Sequence, residues 1–99
     1  MRIRVVRSGG LAGLRSERDV DTAALPPGLA TQLEDRLRLL NFFELPPKQV
    51  RGMPDAIMYR VRADDFAGAH EVTFDDDARN AGLRELAELV LGAAVGEAG

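Results

Sequence analysis

The run Ile57-Met58-Tyr59-Arg60-Val61-Arg62-Ala63-Asp64-Asp65, followed by Phe66-Ala67-Gly68-Ala69 and then His70-Glu71-Val72-Thr73-Phe74-Asp75, decides how this chain folds. Ile57, Tyr59 and Val61 alternate with Met58, Arg60 and Arg62, while His70, Val72 and Phe74 alternate with Glu71, Thr73 and Asp75. Each stretch has the period of two that a half-buried strand needs. A turn at Ala63-Asp64-Asp65 is expected to join them as a hairpin.

Toward the N-terminus, Ile3 and Val5 against Arg2 and Arg4 show the same period, and the run stops at Ser8-Gly9-Gly10. The stretch Leu14 to Val20 is polar for a strand. It follows a glycine-rich connector and ends at Asp21, which makes it the partner of residues 2 to 7 in a first hairpin. The connector Ser8-Gly9-Gly10-Leu11-Ala12-Gly13 is longer than a tight turn and is expected to protrude.

Asp21-Thr22 gives a helix-start signal, and Pro26-Pro27 suits a first turn, whose amides lack partners anyway. Leu29, Leu33, Leu37 and Leu40 then recur at three and four residues, with Ala30 and Leu39 beside them, and polar residues fill the other side. This spacing predicts an amphipathic helix of about four turns. It ends near Asn41, a left-handed cap, after which Phe42-Phe43 is expected to fold back onto the core. Residues 44 to 55 hold three prolines and a glycine, so they read as a long surface loop. After the second hairpin, Asp75-Asp76-Asp77 supplies a cap for a last helix with Leu83, Leu86, Leu89 or Val90, and Ala94 on its apolar face. The tail from Gly96 is expected to fray.

The expected fold is α+β in ββαββα order, a four-stranded, mainly antiparallel sheet with two helices on one face. The halves echo each other faintly: Val6-Arg7 and Leu11-Ala12-Gly13 match Val61-Arg62 and Phe66-Ala67-Gly68 at an offset of 55.

Ninety-nine residues make a single domain, 1–99, and 45% hydrophobic against 29% charged residues suffices for one core. With no cysteine there is no disulfide, thiolate nucleophile or zinc finger, and one histidine, His70, leaves little catalytic vocabulary. His70 lies on the apolar face of its strand and reads as a packed or hydrogen-bonded side chain. An enzyme is not expected, and neither is a cofactor, because no phosphate loop, dinucleotide fingerprint or metal-ligand cluster is present. Asp75-Asp76-Asp77 reads as a cap rather than a cation site, since adjacent carboxylates on a strand point to opposite sides.

Positions 1 to 50 carry eight basic and six acidic residues and positions 51 to 99 carry five and ten, +2 against -5, so the net charge of -3 includes no basic cluster. Nucleic acid is therefore not an expected partner. The charged N-terminus lacks the apolar run of a signal peptide, and no stretch approaches the roughly 18 apolar residues of a membrane span. A cytoplasmic protein, monomeric when free and without membrane contact, is expected.

Two loops stand out. One is a glycine-rich tip that carries Leu11, and the other is a proline-framed segment ending in Met53-Pro54-Asp55 just before a strand. Binding residues concentrate on loops held by a rigid sheet.

The stretches Arg7-Ser8-Gly9-Gly10-Leu11-Ala12-Gly13-Leu14, Asp21-Thr22-Ala23-Ala24-Leu25-Pro26 and Pro54-Asp55-Ala56-Ile57-Met58-Tyr59 resemble the emfourin-like family, small bacterial protein inhibitors of thermolysin-family zinc metallopeptidases such as protealysin. The resemblance spans nearly the whole chain. It departs at the last helix, where Asp77-Ala78-Arg79-Asn80-Ala81-Gly82-Leu83 lacks the proline of the first helix start. The resemblance implies that two neighbouring loops enter the protease cleft, one giving a carboxylate to the catalytic zinc and the other apolar side chains to the substrate pockets. By that implication Gly9, Gly10, Leu11, Ala12 and Gly13 form the apolar loop, with Leu11 as anchor. Pro54 and Asp55 form the other, with Asp55 as the ligand to the partner's zinc. Asp21, Asp64 and Asp65 are the other candidate aspartates. Outside the resemblance, the residues also suit a small adaptor that binds a protein surface through its helices.

Overall fold

In the computed structural model, which describes residues 1–10, 13–52 and 56–93, the alternating stretches are strands and both leucine-rich stretches are helices. The elements run β1 (Arg2–Gly9), β2 (Leu14–Asp21), α1 (Pro27–Leu40), β3 (Lys48–Gln49), β4 (Met58–Asp65), β5 (Gly68–Asp75) and α2 (Ala81–Ala93). One sheet forms in the order β2-β1-β4-β5-β3, with β3 parallel to β5 and the other pairs antiparallel.

The expected α+β class, both hairpins and both helices are present. The expected four antiparallel strands in ββαββα order are corrected to five strands in a mixed sheet and the order ββαβββα. The additional strand lies inside the segment read as a surface loop. Prolines bar a central strand but not an edge one. Pro47 has no amide to donate, yet its carbonyl accepts the Thr73 N–H at 2.8 Å, and Lys48 and Gln49 then pair with Thr73 and Phe74.

Two boundaries also move. The second hairpin keeps its pairing through Asp65↔Gly68, so the turn is Phe66-Ala67 rather than residues 63–65. Asp65 Oδ1 closes it by accepting the Ala67 and Gly68 amides at 2.8 and 3.2 Å. Asp21 does not cap α1. Its Oδ1 accepts the Ala23 N–H at 3.0 Å and caps a short 3-10 turn, Thr22–Ala24, and α1 then starts at Pro27 with no side-chain cap. Asn41 ends α1 in the left-handed conformation, φ 54° and ψ 47°, as its position predicts.

The core lies between one sheet face and the two helices. Ile3, Val5, Val20, Tyr59, Val61, Ala63, Val72 and Phe74 come from the strands, Leu33 and Leu37 from α1, and Leu83, Leu86, Ala87 and Val90 from α2. Val90 rather than Leu89 completes the α2 face. Ala94 and the tail from Gly96 lie outside the described residues. Phe42 folds back and is buried, whereas Phe43 is partly exposed and Leu39 points to solvent. His70 meets the Phe42 ring edge-on at 5.6 Å, and its Nε2 lies 2.8 Å from the Leu45 carbonyl oxygen. That is the packed, hydrogen-bonded role its strand face predicts.

The order of elements repeats, with β1, β2, a 3-10 turn and α1 followed by β4, β5, the 3-10 turn Ala78–Asn80 and α2. The residue echo at an offset of 55 does not carry over to the strands, because that odd offset sets core Val5 against exposed Arg60, whereas β1 matches β4 in length and buried face at an offset of 56. With β1 and β4 antiparallel at the centre, the two ββα halves relate as by a two-fold axis through the sheet. This geometry has a functional consequence. It puts Gly9, where β1 ends, and the Asp65–Gly68 turn at opposite ends of the sheet and sets Gly9 beside the start of β4.

Candidate functional site

Because Ser8 pairs with Met58, the chain leaves β1 and approaches β4 at the same edge of the sheet. Gly9 turns there with φ +104°, and a Cβ on it would lie 3.0 Å from the Ala56 carbonyl oxygen and 3.7 Å from the Ile57 Cα. Only glycine permits both that φ and that approach. Gly10 (φ +79°) and Gly13 (φ +63°) continue the turn, and the Gly13 N–H donates to the Gly10 carbonyl at 3.2 Å. Gly9→Ala is expected to cost about 1–2 kcal/mol, from strain at positive φ plus the close contact. A lowered melting temperature checks it.

Of the residues singled out from sequence, Gly9 thus lies beside Ala56 and Ile57 and Gly10 beside the Ile57 side chain, while Gly13 has open space around it. Leu11, Ala12, Pro54 and Asp55 lie outside the described residues. The alternative aspartates are elsewhere. Asp21 pairs with Arg2 and Arg2 with Asp64, while Asp65 closes the second hairpin. All three therefore sit at the other end of an eight-residue strand, about 23 Å from Gly9 at 3.3 Å per residue.

Beneath the two loop stems a cleft of about 320 Å³ is lined by Arg7, Ser8, Gly9, Ser16, Ile57, Tyr59 and Glu88. A larger recess of about 450 Å³, lined by Met1, Leu37, Phe42 and Phe43, is at the Met1 end, away from the loops. In the cleft Arg7 Nη1 donates to both Glu88 oxygens at 2.8 Å, and the Tyr59 hydroxyl donates to Glu88 Oε2 at 2.7 Å. Burial, and then the neighbouring carboxylate, push the Tyr59 hydroxyl up to about 12, so it stays protonated as the donor. Burial opposes the charge on Glu88, but Tyr59 and Arg7 outweigh it and hold this carboxyl below its ordinary range. The cluster ties α2 to β1 and β4 just under the loops.

The Asp75-Asp76-Asp77 run divides its work. Asp77 Oδ1 accepts the Arg79 N–H at 2.9 Å and caps the 3-10 turn Ala78–Asn80 that leads into α2, rather than α2 itself as its position suggests. Asp75 instead is fully buried, and its carboxylate accepts the backbone N–H groups of Arg51 and Gly52. Asn80, 3% exposed, donates Nδ2 to Asp75 Oδ1 at 2.9 Å and to the Gln49 carbonyl at 2.8 Å. Burial penalises the Asp75 charge, yet the amides of Gly52, Arg51 and Asp77 overcome it and hold its pKa below the ordinary 3.8. Sequence reasoning missed this pair. The one available signal was that three consecutive aspartates exceed what a single cap uses.

Among the described residues no three His, Cys, Asp or Glu side chains converge as metal ligands, and no helix is long and apolar enough to cross a membrane. The family model described as Emfourin matches residues 5–91. No curated protein and no solved structure matches the chain.

Proposed function

The chain belongs to the Emfourin family, a family of protease inhibitors, and from that premise we propose that it inhibits a thermolysin-like zinc metalloprotease by placing two loops in the active-site cleft. The observation that carries this reading is the shared sheet end, where Gly9 of the glycine loop touches Ala56 and Ile57, which directly follow Pro54-Asp55. Asp55 is the only one of the four candidate aspartates whose chain neighbours lie at that end.

The chemistry needs no catalytic group in this chain. A catalytic zinc of this class has three protein ligands and one position for water, and a carboxylate oxygen fits that position at about 2.0–2.2 Å. Asp55 would occupy it and deprive the enzyme of its nucleophile. Leu11 would fill the adjacent apolar pocket without presenting a peptide carbonyl for attack, so the loop is not cleaved. The close-packed stems reduce the entropy lost when the loops are ordered on binding.

Titration of thermolysin and other proteases of its family with the purified chain tests the reading. Residual activity against at least one of them is expected to fall linearly to near zero at about one equivalent. A panel with no inhibited member refutes it.

A further inference from the structure

The chain on either side of residues 53–56 is tied to one corner of the sheet. On the entering side, Arg51 N–H donates to Asp75 Oδ2 at 2.9 Å, and Gly52 N–H donates to the same oxygen. Arg51 Nε reaches Asn80 Oδ1 at 3.3 Å, and Arg79 Nη2 donates to the Arg51 carbonyl at 3.1 Å. On the leaving side, the Asp76 N–H donates to the Ile57 carbonyl at 3.1 Å. Adjacent residues at the end of β5 thus hold both stems. Gly52 is part of the fit, because a Cβ there would lie 3.1 Å from Asp75 Oδ2.

We propose that Asp75 and Asn80 are positioning residues for protease binding, a buried polar clamp that fixes the entering stem of the Pro54-Asp55 loop, while the Asp76 amide holds the leaving stem that packs beside Gly9. The inference rests on the inhibitor reading above. A buried carboxylate with its partners satisfied sets one geometry, since any other stem conformation strands its lone pairs away from water. The clamp therefore acts on affinity through loop order, without contact to the protease. Asp75 is not a helix cap in this arrangement, and its negative charge is spent on backbone amides.

The test measures inhibition of a thermolysin-family protease by the parent, Asn80→Ala, Asp55→Ala and the double variant, together with amide hydrogen exchange of the free proteins. Asn80→Ala is expected to weaken inhibition about tenfold and to speed exchange at Arg51 and Gly52 by about tenfold or more, with α1 amides unchanged. In the Asp55→Ala background the same change is expected to add less than about twofold, because the loop has lost the group the clamp serves. If Asn80→Ala does not fold, Arg79→Ala removes an exposed arm of the clamp, with an expected loss of about threefold. Unchanged inhibition in the folded clamp variant, equal losses in both backgrounds, or unaltered exchange at Arg51 and Gly52 overturns the inference alone. A parent that inhibits no protease removes the inhibitor reading and this inference together.

Discussion

Asp55→Ala is expected to weaken inhibition about a hundredfold, and Leu11→Ala about tenfold, with little change in the melting temperature of either variant. The first figure corresponds to about 2.7 kcal/mol, the size of a central anchor whose truncation leaves a partner group unsatisfied. Here that group is the partner's metal, which would regain its water and its activity. The second follows from burying a leucine side chain, about 1.5–3 kcal/mol before ordering costs. Asp55→Asn separates charge from shape, since it keeps the outline but gives the metal a neutral oxygen. It is expected to weaken inhibition by at least about tenfold. Asp64→Ala is the matched control, because Asp64 pairs with Arg62 at the far end of the sheet and should leave inhibition unchanged. If Asp55→Ala inhibits as the parent does while Asp64→Ala fails, the assignment of the loop is wrong. The measurement is the apparent inhibition constant of each variant against one protease at fixed ionic strength.

What was legible in the sequence is what local energetics dictate. Alternation from Ile57 to Val61 and from His70 to Phe74 reflects one buried strand face, and the structure follows it to Ala63 on one strand and Phe74 on the other. Leucine spacing placed α1, and Asn41 stopped it where predicted. The failures are of another kind. β3 has two residues, too few for any periodicity, and depends on Thr73 finding the Pro47 carbonyl. Leu39 matches the leucine pattern by composition but faces water, because a helix on a sheet buries only a stripe. The Glu88 link to Arg7 spans 81 positions and that of Asp75 to Arg51 spans 24. Nothing near Asp75 says that an amide so far upstream will need it. The candidate site divides the same way: glycines and proline-aspartate marked the loops, while the residues that hold the stems became visible only in three dimensions.

Asp75→Ala is expected to destabilise the fold by about 3 kcal/mol, within the range for removing one member of a buried charged hydrogen-bond group. It leaves the Arg51 and Gly52 amides and one Asn80 donor without their acceptor. For a domain of this size the melting temperature should fall by about 15 °C. The pH dependence distinguishes this cause from simple loss of packing. The folded state holds the Asp75 carboxyl below its ordinary 3.8, so between the two values the unfolded chain binds the additional proton. Unfolding free energy therefore rises with pH across that window. The contribution is complete above the ordinary carboxylate range and is lost as pH falls through the folded value. Asp77 and Glu88 are lowered in the same direction, so the parent's acid sensitivity has several sources. The informative quantity is the difference between parent and variant in denaturant melts at pH 7 and near pH 3, which should narrow in acid because Asp75 alone separates them. A difference that stays constant with pH would mean that the side chain contributes by filling space, and the carboxylate's hold on the loop stem would not be what stabilises this corner of the fold.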